Sequence, residues 1–377
     1  MGLIKNNFWK GKKVLITGHN GFKGSWLTVW LLLLKAEVYG FSLEPEEESL
    51  FNNLIKDGLT KKEDFGNLIS KTGNIENYLE LDSFISEVKP DIVFHLAAQP
   101  LVRESYLNPR KTWSTNVIGS LNLLESLKKI DKKCSVVMVT TDKVYKNNEW
   151  IYGYREIDEL GGNDPYSASK ACMEILIDSW IKSFCGGKTY QTTFLKICSA
   201  RSGNVIGGGD WSKDRLIPDT IRAIIKKIPI SIRNSNSQRP WLHVLEPLNG
   251  YMLLANKLYE DKEDFFNNLK PNCSYNFGPS TNSDKKVLSL VNRILKYFPN
   301  NEIIETKSSD FHEAKLLNLV SDKAFKDLNW RQVWDFERTI HNTARWYKDF
   351  LNGRSSFECC LNDIKNYNNY LKEIDHG

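Results

Sequence analysis

Short apolar runs alternate with longer amphipathic stretches over the first 200 residues of the chain. Each run suits a buried strand, and the stretches between runs have apolar residues at the three- and four-residue spacing of helices. The predicted strands are Lys13–Thr17 (KVLIT), Glu37–Ser42 (EVYGFS), 91–96 (DIVFHL), 136–139 (VVMV) and 192–198. The predicted helices are 21–35, 116–128 and 166–183. Strands alternating with helices predict an α/β fold with a doubly wound, mostly parallel sheet.

The pattern changes past Arg201. Residues 203–210 are rich in glycine, and prolines repeatedly interrupt the segments that follow. We therefore predict a smaller, mixed C-terminal domain that binds the substrate, closed by amphipathic helices at 287–297 and 334–351. The predicted boundaries are 1–200, with a returning segment at about 239–278, for the first domain, and 201–238 with 279–377 for the second.

Composition narrows the class of protein. The 377 residues are 41% hydrophobic and 26% charged, as in ordinary globular domains. The 51 basic and 46 acidic residues are interspersed, so a net charge of +5 is weak evidence for nucleic acid, and no such partner is expected. The strongest apolar segment, 26–34, is shorter than the roughly 20 residues that cross a bilayer, and 1–13 has no secretory pattern, so no membrane association is expected.

The cysteines and histidines give no sign of a disulfide framework or a metal centre. Seven cysteines form no CxxC pair, and six histidines form no HExxH motif. Several cysteines fall inside apolar runs, where a reduced, buried thiol is expected. We therefore expect a cytoplasmic protein without a bound metal.

A glycine-rich loop, GHNGFKG at residues 18–24, follows the first predicted strand and opens the first predicted helix. Glycines at such a junction allow a tight turn and let a pyrophosphate approach the N–H groups of the helix N-terminus. The loop therefore predicts a dinucleotide site. Its expected contacts are Gly18, Asn20, Gly21, Phe22 and Gly24.

The end of the second predicted strand indicates which dinucleotide binds. An acidic residue about 20 residues beyond the glycine loop commonly holds the adenosine ribose. Here Ser42 takes that place, with Glu44 just beyond it, and neither Arg nor Lys is present to pair with a 2′-phosphate. NAD is therefore preferred over NADP.

Tyr166 and Lys170 lie four residues apart, so one helix face carries both. A phenol has a pKa of about 10 and is a poor base at neutral pH. A neighbouring ammonium favours phenolate, so we expect Lys170 to lower the pKa of Tyr166 and make it a usable base. Taken alone, the pair also fits an ordinary first helical turn with a surface lysine.

Thr141, Asp142 and Lys143 follow the apolar run 136–139, at the carboxyl end of a strand, where ligands bind in open α/β sheets. A carboxyl group and an amine side by side at such an edge can act as an acid and a base, and Asp142 and Lys143 are the candidates for these two roles. The alternative is a salt bridge in a surface loop.

Four segments carry a resemblance that runs over nearly the whole chain. They are GHNGFKGSWL (18–27), HLAAQPLVRESY (95–106), GNVIGGGDW (203–211) and RPWLHVLEPL (239–248). With them the chain resembles the nucleotide-sugar 4,6-dehydratases of the extended short-chain dehydrogenase/reductase family. Asp142-Lys143 is similar to the CDP-glucose branch, because the dTDP-glucose enzymes usually carry Asp-Glu there.

The resemblance implies an NAD-dependent lyase that converts CDP-glucose to CDP-4-keto-6-deoxyglucose. Such a product would feed deoxysugar synthesis for a surface polysaccharide such as lipopolysaccharide O-antigen. By the same resemblance Thr141 would bond the C4 oxygen, and Tyr166 with Lys170 would take its proton. Lys143 would act near C5 and Asp142 would donate a proton to the C6 oxygen, although these two roles could be exchanged.

The resemblance also implies further contacts and a quaternary structure. The additional cofactor contacts are Asn74, Ile75, Leu96, Ala97 and Ala98. The substrate contacts are Gln99, Arg201, Asn204, Leu216, Ile217, Arg233, Arg239, His243 and Glu313. A homo-oligomer, either a dimer or a tetramer, would be joined through the helices at 116–128 and 166–183.

Two other functions stay open at this point. One is a 4,6-dehydratase for another nucleotide sugar, or a 4-epimerase or decarboxylase on the same scaffold. The other is a regulatory module that binds NAD without turnover. A binding module has no need of Tyr166, Lys170, Asp142 and Lys143, which argues against the second.

Overall fold

The structure of the chain is a computed structural model. It describes residues 4, 6–61, 64–185, 194–232, 234–261, 264–269, 272–279, 284–299, 301–305 and 316–376.

A seven-stranded parallel sheet forms the centre of the described chain, in the order β3-β2-β1-β4-β5-β6-β11. Its strands are β1 (Lys13–Thr17), β2 (Glu37–Ser42), β3 (Leu68–Thr72), β4 (Ile92–His95), β5 (Cys134–Val139), β6 (Leu195–Ser202) and β11 (Ser274–Phe277). Strand order reverses at β1, because β2 and β4 pair with its opposite edges. Ligands bind at such a switch point in doubly wound sheets.

Helices connect the strands and cover the sheet. The α-helices are α1 (Asn6–Trp9), α2 (Phe22–Leu33), α3 (Leu50–Lys56), α4 (Tyr78–Val88), α5 (Val102–Leu107), α6 (Pro109–Trp113), α7 (Gly119–Lys128), α8 (Pro165–Phe184), α9 (Leu216–Lys226), α10 (Leu245–Glu260), α11 (Phe265–Leu269), α12 (Val287–Leu295), α13 (Asp322–Leu328), α14 (Phe336–Leu351) and α15 (Ser356–His376). Leu59–Lys61 and Asp142–Val144 are 3₁₀ turns, and Ser114–Ile118 is a π-helical turn leading into α7.

Three two-stranded ladders lie outside the central sheet. Strand β7 (Val205–Ile206) pairs in parallel with β10 (Leu242–His243), β8 (Ile230–Ile232) pairs in parallel with β13 (Ile303–Glu305), and β9 (Gln238–Pro240) pairs antiparallel with β12 (Asp284–Lys286). Residues of β8 and β9 reach the cleft described below.

The main core lies on both faces of the sheet. Strands β4 and β5 are buried along their whole length, as expected for parallel strands covered by helices. On one face, α2 buries Trp26 and Trp30 completely. Tyr367 of α15 packs edge-on against Trp30, so the C-terminal helix completes the core around α2.

The predicted α/β class and parallel sheet are confirmed. The helix predicted at 116–128 begins as the π-helical turn and continues as α7. The domain boundaries stay a prediction, although β11, inside the predicted returning segment, does pair with β6. None of the described helices is long and apolar enough to cross a membrane.

Candidate active site

A cleft of about 680 Å³ opens along the carboxyl ends of the central strands. One wall is formed by the loops after β1, β2, β4 and β5 and by the first turns of α8. Residues between β6 and β12, including Arg215 and Arg239, complete the lining. The cleft therefore joins the predicted cofactor and substrate regions in one cavity.

The glycine loop has the geometry that a closely approaching ligand requires. Gly18 has φ +76°, and a Cβ there would lie 2.7 Å from the backbone nitrogen of Ala97. A Cβ on Gly24 would collide with the carbonyl oxygen of Gly18. Gly21 is the N-cap residue of helix α2, and no side chain caps this end of the helix. The N–H groups of the first turn, at the cleft, are therefore not bonded by a capping side chain.

Ser42 and Asn74 line the cleft, and both already have partners in the protein. The Ser42 hydroxyl bonds Nδ1 of His19 at 2.8 Å, and Nε2 of His19 bonds Ser70 at 2.7 Å. Burial lowers the pKa of His19 to about 4, so it bridges the two hydroxyls as a neutral ring. Oδ1 of Asn74 accepts from the backbone N–H of Glu76 at 3.0 Å. Their contacts with ribose and adenine stay predictions.

The other predicted cofactor residues are also at the cleft. Asn20 donates to the Leu43 carbonyl at 2.5 Å, which fixes the loop against the end of β2. The residues Phe22, Ile75, Leu96, Ala97 and Ala98 line the cavity as well.

Thr141, Asp142 and Lys143 form a compact turn directly after β5. The Thr141 hydroxyl donates to Oδ1 of Asp142 at 2.9 Å, and Nζ of Lys143 lies 3.5 Å from the same oxygen. The Asp142 side chain is 3% exposed and that of Lys143 32% exposed, so the carboxylate is buried behind the amine. A Cβ on Gly203 would lie 3.1 Å from Oδ2 of Asp142, so glycine leaves the room that this carboxylate occupies.

Helix α8 presents Tyr166 and Lys170 to the same end of the cleft. Asp164 and Ser167 form a capping box that fixes the first turn of the helix. The nearby Thr141 hydroxyl favours phenolate, but burial dominates and raises the pKa of Tyr166 to about 12. The expectation that Lys170 lowers this pKa is therefore corrected, because desolvation outweighs the charges nearby.

Lys170 is itself fully enclosed. Its ammonium donates to the carbonyl of Val139 at 3.2 Å. Burial lowers the pKa of Lys170 to about 8, and the carboxylate of Glu174, one helical turn further on, opposes that shift. The lysine is thus held between the end of β5 and its own helix.

Lys23, in the glycine loop, is a site residue that the sequence reasoning missed. Its ammonium donates to Ser202 at 2.8 Å and to Tyr251 at 3.4 Å. Burial and the charge of Arg215 lower the pKa of Lys23 to about 7, while Asp142 raises it. A charged residue in the first turn of an otherwise apolar helix is the sequence signal that could have found it.

The substrate wall carries some of the predicted residues. Asn204, Leu216, Ile217 and Arg239 line the cleft. The structure adds Arg215, which lines the cleft and lies 3.3 Å from Asp210. Guanidinium groups on this wall suit a diphosphate. Arg233 and Glu313 lie outside the described residues.

Arg201 does not line the cleft, contrary to its expected role as a substrate contact. It is 3% exposed and donates from Nε and Nη2 to the Glu174 carboxylate at 3.0 and 2.8 Å. A guanidinium buried this deeply needs a carboxylate partner. Glu174 supplies that partner inside the protein.

Gln99 and His243 are likewise away from the cavity surface. Gln99 donates to Thr112 at 2.8 Å and accepts from the Leu101 N–H at 2.6 Å, so its amide holds the loop after β4. His243 is completely buried with its ring edge-on to Trp26 and Trp334, and burial lowers its pKa to about 3. Among the described residues, no group of three or more His, Cys, Asp or Glu side chains could hold a metal ion.

Comparison with known proteins agrees with this geometry. The family model described as GDP-mannose 4,6 dehydratase matches residues 15–343. The chain is 40% identical over 368 residues to the CDP-glucose 4,6-dehydratase of Salmonella typhimurium, covering 97% of this chain and 98% of that protein. It is 27% identical to the dTDP-D-glucose 4,6-dehydratase of Dictyostelium discoideum, covering 90% of this chain and 82% of that protein.

Solved structures share the fold. The crystal structure of dTDP-glucose 4,6-dehydratase from Bacillus anthracis in complex with NAD has a TM-score of 0.73 and 22% identity, covering 93% of this chain and 100% of that one.

Proposed function

Because the chain belongs to the GDP-mannose 4,6-dehydratase family, we propose that it is a CDP-glucose 4,6-dehydratase that uses NAD. It converts CDP-glucose to CDP-4-keto-6-deoxyglucose and water. The near full-length similarity to the Salmonella CDP-glucose enzyme supports the substrate. The observation that carries the reaction is the contact of Asp142 with Thr141 and Lys143 beside Tyr166, because this cluster combines an acid, an amine and a phenol.

The residues at the switch point of the sheet fit NAD. The positive φ of Gly18 allows the tight turn that leads to α2, and the uncapped N-terminus of α2 offers N–H donors to a pyrophosphate. Ser42 and Asn74 would hold the adenosine half, and Tyr166 with Lys170 would hold the nicotinamide half. When bound there, NAD would supply the hydride acceptor for sugar C4 and the hydride donor for C6.

Tyr166 is a protonated phenol at neutral pH, since its pKa is raised to about 12. It can accept the C4 hydroxyl proton only while its own proton moves on. The carboxylate of Asp142 can only accept hydrogen bonds, so the hydroxyl proton of Thr141 points toward it. The Thr141 oxygen is then free to accept a proton from Tyr166. The proton of the C4 hydroxyl group therefore passes through Tyr166 and Thr141 to Asp142.

The elimination uses the acid formed in that step. Asp142, now a carboxylic acid, gives its proton to the departing C6 hydroxyl, which leaves as water. Lys143 is the group proposed to take the C5 proton and to give it back to C5 at the end of the reaction. The C4 hydroxyl proton thus leaves in the water molecule, and every protein group returns to its starting state.

The arginine-bearing wall is proposed to hold the nucleotide end. Arg239 and Arg215 line the cleft and carry the charge that a diphosphate needs. Leu216 and Ile217, at the start of α9, provide an apolar wall for the base. Asn204, next to Gly203 and Asp142, would contact the sugar or its phosphate.

The setting of the enzyme is also a proposal. The seven cysteines, six of them buried, are not joined in disulfides, which suits the reducing cytoplasm. Exposed Ile118, just before α7, and Ile175, on α8, support a homo-oligomer, a dimer or tetramer joined through these helices. The 4-keto-6-deoxy product suits later steps of deoxysugar synthesis for a surface polysaccharide such as O-antigen.

The test is to incubate the purified protein and NAD with CDP-glucose, and in parallel with dTDP-, UDP- and GDP-sugars. Mass spectrometry should detect a product lighter by one water, formed fastest from CDP-glucose, with no net reduction of NAD. Faster loss of water from another sugar would reassign the substrate. Epimerisation at C4 without loss of mass would replace the dehydratase by an epimerase.

A further inference from the structure

A buried ion pair, Glu174 with Arg201, connects the catalytic helix to the catalytic turn. Glu174 lies on α8, one turn beyond Lys170, and Arg201 lies on β6. The Glu174 carboxylate accepts two bonds from Arg201, one from Ser199 at 2.7 Å, and one from the hydroxyl of Thr140. Thr140 immediately precedes the turn that carries Asp142, so this carboxylate holds one end of the turn.

Arg201 holds the other end. Its Nη1 donates to the hydroxyl of Tyr145 at 2.7 Å, and that hydroxyl donates to Oδ1 of Asn276 at 2.8 Å. Tyr145 follows the 3₁₀ turn Asp142–Val144 directly. The ion pair thus binds the residues on both sides of the turn, and it does so from α8 and β6.

We propose that Glu174 and Arg201 are positioning residues that hold Asp142 and Lys143 in register with Tyr166 and Lys170. This inference rests on the proposed function. Neither member of the pair lines the cleft, so neither contacts the substrate. Both are nearly inaccessible, with 4% and 3% of their surface exposed. They act through Thr140 and Tyr145.

The proposed function depends on how the turn after β5 is placed relative to α8. The proton passes from Tyr166, on α8, to Thr141 and Asp142, in the turn after β5, so the two elements must keep a hydrogen-bonding distance. A displacement of about 1 Å in such an arrangement can cost about 100-fold in rate. Thr140 and Tyr145 line the cleft themselves, but Arg215 and Arg239, proposed to hold the nucleotide end, are not part of these links, so substrate affinity should change little.

Thr140→Val and Tyr145→Phe each remove one hydroxyl link without changing charge or much volume. Ser199→Ala and Tyr154→Phe are the matched controls. Ser199 donates to the same carboxylate but does not adjoin the turn, and Tyr154 stacks on Tyr145 with its hydroxyl bonded to Asn147 instead.

Both link variants should lower kcat by about 10-fold or more while KM for CDP-glucose changes less than about twofold. Both controls should stay near wild-type kcat. Wild-type kcat in the link variants, an equal loss in the controls, or a rise in KM with unchanged kcat would overturn the proposal.

Hydrogen exchange measured by mass spectrometry gives a readout that does not depend on turnover. Amides at 141–145 should exchange faster in the two link variants than in wild type, and the controls should match wild type. Unchanged exchange in the link variants would reject the positioning role even if the enzyme is inactive on CDP-glucose. Faster exchange in an enzyme that proves to use another sugar would reject only the proposed substrate.

Discussion

Asp142 and Lys143 share one contact, with Nζ of the lysine 3.5 Å from Oδ1 of a carboxylate that is almost completely buried. The Thr141 hydroxyl donates to the same oxygen. Oδ1 of Asp142 therefore contacts both the Lys143 amine and the Thr141 hydroxyl, which is proposed to pass the proton from Tyr166. This arrangement brings a carboxylate, an amine and a hydroxyl together in a single cleft, as the proposed oxidation and elimination require.

Asp142→Asn and Lys143→Met should affect the two half-reactions differently. Both variants lack a general acid or base, so loss of water should slow by about 10²–10⁴-fold in each. Lys143→Met keeps the acceptor of the C4 hydroxyl proton and should spare C4 oxidation, whereas Asp142→Asn removes that acceptor and should slow C4 oxidation as well. Single-turnover assays would follow reduced cofactor by absorbance and product by mass. Loss of water at the wild-type rate in both variants would show that the elimination groups lie elsewhere.

Thr141→Val should interrupt the proton path between Tyr166 and Asp142. We expect kcat to fall by about 10²-fold, because the C4 hydroxyl proton loses its route to the Asp142 carboxylate. Thr141→Ser retains a hydroxyl and should recover most of the rate, which separates the hydroxyl from the side-chain shape. Equal kcat in the Val and Ser variants would exclude a proton path through this residue.

Lys23→Met should make the unfolding stability less dependent on pH. The pKa of Lys23 is about 7 in the folded protein against 10.5 ordinarily, so the unfolded chain binds more protons between these values. Over that window this one group makes the wild-type free energy of unfolding rise by about 1.4 kcal/mol per pH unit. The variant should therefore be more stable near neutral pH, by a margin that shrinks as pH rises.

Urea unfolding at about pH 7 and about pH 9 measures that margin. Lys213→Met, at an exposed lysine near the cleft, controls for the loss of one positive charge. A margin that is constant or that grows with pH would contradict the assignment of Lys23 as a buried, uncompensated amine.

Arg201→Met should reduce folding stability, whereas Arg239→Ala should weaken substrate binding. Removing Arg201 leaves the Glu174 carboxylate buried without its cation, and such a loss costs about 3–5 kcal/mol of folding free energy. Arg239 lines the cleft, so its loss should raise KM for CDP-glucose and leave stability nearly unchanged. Denaturant midpoints and Michaelis constants for both variants check this. A stable Arg201→Met enzyme with a raised KM would restore Arg201 as a substrate ligand.

Local sequence patterns correctly predicted the motifs whose residues lie close together in the chain. The glycine loop, the turn 141–143 and the pair Tyr166 with Lys170 each depend on spacing within a few residues, and the structure brings all of them to one cleft. The strand–helix alternation likewise predicted the central sheet, since buried parallel strands are continuous apolar runs.

The features that were missed depend on partners distant in the chain. Arg201 meets Glu174, which lies 27 residues away, and Lys23 meets Ser202, 179 residues away. A charged residue in the first turn of an apolar helix marks Lys23 as unusual, but the neighbouring residues do not identify the partner of either side chain. The burial of His243 between two tryptophans is equally invisible in the local sequence. The pKa of Tyr166 was predicted in the wrong direction because charge could be inferred from sequence and desolvation could not.

The most direct measurement is the fate of the C4 hydrogen. CDP-glucose deuterated at C4 would be converted by the enzyme with NAD, and the product examined by mass spectrometry and NMR. The account predicts a product that has lost one water and carries the deuterium at C6. A product of unchanged mass, inverted at C4, or one that has lost water without deuterium at C6, would contradict it.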